Sequence, residues 1–132
     1  MTLVVDASVI VAALVDAGPA GRWAESIVAS DDLTAPHLMP VEVASTLRRA
    51  VRAGELSEDS AALAHADLMD LQVYFAPYEL VADRVWELRH TVTPYDAWYV
   101  ALAEELDVAL ATLDGALGRA AGPRCRFKLP NK

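Results

Sequence analysis

Leu3-Val4-Val5-Asp6-Ala7-Ser8-Val9-Ile10-Val11-Ala12-Ala13-Leu14 opens with a short branched-aliphatic run that stops at an acid, then continues through Ser8 into the apolar series Val9, Ile10, Ala13 and Leu14. This reads as strand, turn, helix. Further along, Val108 to Thr112 is a second uncharged run of the type buried in a sheet, and it too is followed closely by an acid, Asp114.

Working outward, a Gly18-Pro19 break precedes a helical stretch over 20–29, and Leu33-Thr34-Ala35 before Pro36 reads as a short strand. Pro40 stands in the expected first turn of a helix that runs to about Ala53 and is stopped by Gly54 at C′. Ser57 caps the next helix, from Glu58 to about Leu71. Val73-Tyr74-Phe75 is aromatic and β-branched and reads as a third strand. A helix is expected over 79–90 on the apolar positions Leu80, Val81, Val85, Trp86 and Leu88. Another opens at Thr93-Pro94-Tyr95-Asp96 and continues to Leu106. A short helix over 114–121 and a last strand over 126–128 complete the chain. Short apolar strands alternating with helices imply an α/β fold, a mostly parallel central sheet covered by helices on both faces.

At 132 residues and 55% hydrophobic composition the chain is expected to form one globular domain. Its longest uncharged stretches reach only about half the length a membrane helix needs, and Arg22 is the first basic residue, so no secretory signal is expected. These features suggest a cytoplasmic protein with no membrane association. Cys125 is the single cysteine, and His37, His65 and His90 lack a short metal-binding spacing, which argues against zinc. The formal charge of −8 is awkward for a protein that binds phosphate backbones. From Gly115 onward, however, there is no Asp or Glu, while Arg119, Arg124, Arg126, Lys128 and Lys132 concentrate positive charge. That tail is either solvated or faces nucleic acid, and the acidic remainder suits a basic protein partner.

In open parallel sheets the ligand site lies beyond the carboxyl ends of the strands. Asp6 and Asp114 fall at that edge, and Glu42 and Asp96 each lie two residues after a proline, in the first turn of a helix. Each acid also has a structural reading. Asp6 and Asp114 suit N-caps, Thr93 and Asp96 approximate a capping box, and Glu42 suits the positive end of a helix. Asp6, Asp96 and Asp114, however, adjoin strongly apolar segments and have no Lys or Arg nearby in sequence. Carboxylates gathered in a low-dielectric cleft repel one another unless a divalent cation neutralises them. Oxygen ligands without thiolate or imidazole select Mg²⁺ or Mn²⁺.

Four blocks, Val4 to Leu14, Pro40 to Arg49, Thr93 to Ala103 and Leu110 to Asp114, together resemble the signature of the PIN-domain family, in the family's order. The resemblance covers about Leu3 to Lys128 and implies a three-layer α/β/α fold. It implies that Asp6, Glu42, Asp96 and Asp114 form an acidic metal site, with Ser8 and Thr112 as hydroxyls that orient the carboxylates or a bound water. Stand-alone PIN domains of this length resemble VapC toxins, so the resemblance also implies endoribonuclease activity on structured RNA, homodimerisation and a VapB-like antitoxin partner. Water would be the nucleophile, leaving a 5′ phosphate and a 3′ hydroxyl. Many relatives carry a further acid just after the position of Asp114, where this chain has Gly115 and Ala116. That departure leaves a second metal weakly held or absent until RNA phosphate supplies ligands.

Arg48, Arg49 and Arg52 follow Glu42 by one turn or more and read either as a solvated helix face or as phosphate contacts. Trp86 and Trp98 read as core or dimer interface. Competing functions are a PIN-like domain that only binds RNA or protein, a PIN nuclease of RNA maturation without an antitoxin, and a phosphoacceptor signalling domain. The last would need paired acids after the first strand, whereas Asp6 stands alone there.

Overall fold

The computed structural model describes Thr2 to Asn131. Five strands, β1 (Thr2–Val5), β2 (Asp32–Pro36), β3 (Val73–Ala76), β4 (Leu110–Ala111) and β5 (Phe127–Lys128), form one sheet in the order β3-β2-β1-β4-β5. Every pairing is parallel. The sheet is therefore wholly parallel, where the sequence suggested mostly parallel. Leu3, Val4 and Val5 are buried on both faces of the central strand, as a sheet sandwiched between helices demands. The architecture is three-layer α/β/α.

The helices are α1 (Ala7–Val15), α2 (Pro19–Ser30), α3 (Met39–Arg52), α4 (Glu58–Asp70), α5 (Ala82–Glu87), α6 (Pro94–Leu106) and α7 (Gly115–Arg119). Tyr99, Val100, Ala101, Leu102 and Ala103 of α6 are almost wholly buried, and α6 packs across β1, β2 and β4. On another side, α1 packs against α2, α3 and α4. The α3 stop follows the expected chemistry: Gly54 adopts φ 75°, and the N–H groups of Gly54 and Glu55 return to the carbonyls of Val51 and Ala50. Ser57 caps α4 by accepting from the Ser60 N–H.

The helix expected over 79–90 is the main departure. Tyr78–Leu80 forms one 3₁₀ turn, and α5 begins only at Ala82, because Val81 takes φ −128° and ψ 14° to bury its side chain. Leu80 and Trp86, two of the apolar positions of that expected helix, are exposed, which leaves Trp86 outside the core, and Arg89 stacks on the Trp86 ring at 4.3 Å. The helix over 114–121 is likewise shorter, with Asp114 as its cap.

Arg84 compensates for the shortness of α5. Its Nε donates to Glu104 Oε1 at 2.7 Å and its Nη2 to the Gly122 carbonyl at 2.8 Å, while Glu104 Oε2 accepts from the Arg124 N–H at 2.7 Å. One guanidinium thus joins α5, α6 and the loop before β5. Arg84→Met is expected to destabilise the fold by roughly 1–2 kcal/mol, since it strands a half-buried carboxylate. Urea denaturation of both proteins checks this through the midpoint at unchanged slope.

Candidate active site

The sheet order reverses between β1 and β4, and ligands of such sheets bind at that reversal. Val5 is in register with Ala111, and the Asp6 N–H donates to the Ala111 carbonyl at 3.0 Å. The pairing thereby sets Asp6 beside Thr112, whose hydroxyl donates to Asp6 Oδ2 at 2.7 Å. Ser8 Oγ donates to the same oxygen at 3.2 Å. Both hydroxyls are themselves held from behind: Ser8 Oγ accepts from the Leu113 N–H and Thr112 Oγ1 from the Asp114 N–H. Asp6 occupies the N-cap position of α1, yet its side chain makes no capping bond. Two hydroxyls thus converge on Asp6 Oδ2 and fix the carboxylate.

Glu42 reaches this edge from the first turn of α3, and Asp96 from the first turn of α6, where the Thr93 hydroxyl accepts from the Asp96 N–H. The Tyr99 hydroxyl donates to Glu42 Oε1 at 2.6 Å. No sequence pattern pointed to this bond, because Tyr99 sits in an apolar helix 57 positions from its partner. Asp114 caps α7, with Oδ1 accepting from the Ala116 and Leu117 N–H groups at 3.0 and 3.1 Å. Its structural reading therefore holds, with a single oxygen engaged in these bonds.

Charge ties the group together. Burial is the largest influence on Asp6, raising its pKa against the opposing hydrogen bonds from Thr112 and Ser8. Glu42 is raised by burial and by the charges of Asp6 and Asp96, with the Tyr99 bond acting the other way. Asp96 is raised by burial and then by Asp6 and Asp114. None of the four acids takes part in an ion pair among the described residues.

This donor set, oxygen only and uncompensated in charge, fits a hard divalent cation. Among the described residues no three His, Cys, Asp or Glu side chains stand as a ready-made ligating group, so ligation requires the less constrained side chains to close on the fixed Asp6.

A cleft of about 650 Å³ runs from Asp6 and Glu42 along α1 and α3, lined also by Val11, Val15, Arg49 and Tyr95 among others, while Asp96 and Asp114 are not among its lining residues. Arg49 is held over it by bonds to Ser45 Oγ and Thr46 Oγ1 at 3.0 and 3.1 Å. Arg48 and Arg52 are exposed and do not line it. Nor do the basic residues of the C-terminal segment: Arg124 and Arg126 line a separate cleft with Glu79, Asp83, Glu104 and Asp107. They lead into β5, at the sheet edge opposite the acids. Lys132 lies outside the described residues. Trp98, read as core or interface, is half-buried and meets Tyr78 edge-on at 5.3 Å between centroids.

A parallel sheet with acids gathered at its switch point is a frame that PIN domains share, and the chain belongs to the PIN-domain family, whose profile matches residues 3–123. Among curated proteins it is 42% identical to Ribonuclease VapC1 of Mycobacterium tuberculosis over 127 residues, covering 96% of each chain. Ribonuclease VapC9 of the same organism is 37% identical over 123 residues, covering 93% of this chain and 94% of the relative. Among solved structures, Mycobacterium tuberculosis VapC20, described as a sarcin-ricin loop cleaving toxin, superposes with TM-score 0.67 at 18% identity, covering 89% of this chain and 93% of the other. VapBC2 from Rickettsia felis, bound to a DNA fragment from its promoter, matches with TM-score 0.66 at 10% identity over 98% of both chains. At those identities the two structures speak to the fold. No helix among the described residues is long and apolar enough to cross a membrane.

Proposed function

We propose that the protein is a divalent-metal-dependent endoribonuclease of the VapC toxin type, acting in the cytoplasm. The observation that carries this reading is the gathering of carboxylates at the switch point, where Glu42 and Asp96 both feel the charge of the buried Asp6 and no Lys or Arg among the described residues forms an ion pair with any of the three. Its kinship with named ribonucleases over nearly its full length supports the choice of RNA.

Asp6, Asp96 and Asp114 would hold Mg²⁺ or Mn²⁺, with Glu42 closing the site from α3. When bound, such a cation lowers the pKa of water and neutralises charge on the phosphodiester. The protein's own part is to fix Asp6 through Ser8 and Thr112, to bring the acids together at the switch point, and to offer the Arg49 guanidinium to a neighbouring phosphate. Tyr95, exposed at the rim of the cleft, offers a ring to an unstacked base. Gly115 and Ala116 add no acid beside Asp114, so one tightly held ion is the resting state in this proposal. Homodimerisation and a VapB-like antitoxin complete it. The Rickettsia felis complex of this fold supports such a pairing, and the charge of −8 suits a basic antitoxin segment.

The deciding test is incubation of antitoxin-free protein with total RNA in Mg²⁺ or Mn²⁺, against EDTA and Asp96→Asn controls, with cut ends mapped. Discrete cuts bearing 5′ phosphates, abolished by EDTA and by the substitution, are expected. A folded, metal-bound protein that cuts none of these RNAs would shift the reading to a binding-only PIN domain.

A further inference from the structure

Tyr99 is 1% exposed, and it lies one helical turn after Asp96, so both side chains leave α6 on the same side. Its hydroxyl donates to Glu42 Oε1 across to α3 at 2.6 Å, and it also senses the backbone N–H of Ala7, the residue after Asp6. One phenol therefore stands where the three elements carrying Asp6, Glu42 and Asp96 meet. A buried hydroxyl needs a partner, and Glu42 is its partner here.

We propose that Tyr99 is a positioning residue for the metal site: it fixes one oxygen of Glu42 so that the other is presented to the cation held by Asp6 and Asp96. This rests on the metal-dependent reading above and adds to it a residue that is not itself one of the proposed ligands. The physical reason is entropic and electrostatic. A free glutamate in the first turn of α3 samples several rotamers beside two like charges that push it away. A short bond from a neutral donor holds it in place without bringing in a positive charge that would compete with the cation. Ligand side chains held by such a partner lose about tenfold or more in metal affinity when the partner is removed.

The test is Mn²⁺ binding to the full protein, read by electron paramagnetic resonance or calorimetry, for the wild type, Tyr99→Phe, Glu42→Ala and the double variant, with thermal unfolding of the metal-free proteins as the check on folding. Phe preserves the buried ring. Tyr99→Phe is expected to weaken Mn²⁺ binding by about tenfold in the wild-type background and to have no further effect once Glu42 is Ala. RNA cleavage by Tyr99→Phe should need more Mn²⁺ for half-saturation and approach the wild-type rate when saturated. An unchanged dissociation constant in Tyr99→Phe, or an equal loss in the Glu42→Ala background, overturns the positioning role while leaving the metal site standing. Absence of Mn²⁺ binding by the wild type overturns the metal-dependent reading together with this role.

Discussion

Asp6→Asn is expected to lower RNA cleavage by about 10³-fold, roughly 4 kcal/mol of transition-state stabilisation, while making the metal-free protein more stable at neutral pH. The two effects share one cause. Asp6 is 8% exposed, and burial raises its pKa despite the bonds from Thr112 and Ser8. Asparagine keeps an oxygen that can accept those bonds and discards the buried charge. A gain on the order of 1 kcal/mol, a few degrees in melting temperature, is typical when a functional site gives up a destabilising group.

The pH dependence follows with the same sign. Asp6, Glu42 and Asp96 all titrate above their ordinary values in the fold, so between those values and the raised ones the native state binds more protons than the unfolded chain. Stability of the metal-free protein should therefore rise as pH is lowered from neutral through the raised pKa values, and level off near the ordinary carboxylate range. Glu104 acts oppositely: its pKa is lowered beside Arg84, so its contribution is lost only once pH falls below the ordinary range and through its own value. Thermal melts from pH 8 to 4, with and without Mn²⁺, would show the rise only in the absence of the ion, and only weakly in Asp6→Asn. A wild type whose metal-free stability falls steadily from pH 8 to 5 would contradict the charge-cluster account.

The second large effect comes from a residue that is not one of the four acids. Gly21 lies inside α2, where intrinsic propensity predicts that alanine stabilises by nearly 1 kcal/mol. In the fold, a Cβ at this position would stand 1.7 Å from the carbonyl oxygen of Asp16. The obstacle is backbone, and the Gly18 N–H, which accepts no movement without losing its 2.7 Å bond to Asp16 Oδ1, braces the same turn. Gly21→Ala is therefore expected to destabilise by about 3 kcal/mol, about 10 °C in melting temperature, because α2 must lift away from the end of α1. Differential scanning calorimetry decides the sign. A variant as stable as the wild type would mean that the turn yields freely.

Local sequence determined a good deal. Apolar runs followed by acids marked β1 and β4 as buried strands, although β4 keeps only Leu110–Ala111 of the expected Val108 to Thr112, Pro40 and Pro94 marked the first turns of α3 and α6, and Gly54 marked the end of α3. Those signals act over one or two turns, through backbone geometry and burial, and so are visible in the chain itself. The split of 79–90 was not visible, because an apolar pattern states what wants burial and not where the core ends; Val81 reaches the core only by leaving helical geometry. The family blocks singled out Asp6, Glu42, Asp96 and Asp114 together, but the roles divide only in three dimensions: Asp6 locked by two hydroxyls, Asp114 engaged as a cap, Arg49 alone of its three arginines facing the cleft. The bond from Tyr99 to Glu42 belongs entirely to the tertiary structure, and the closeness of Gly21 to Asp16 depends on how α2 turns back on the end of α1. Each is an encounter between different elements, set by how the helices pack, and no local rule of spacing or propensity contains that information.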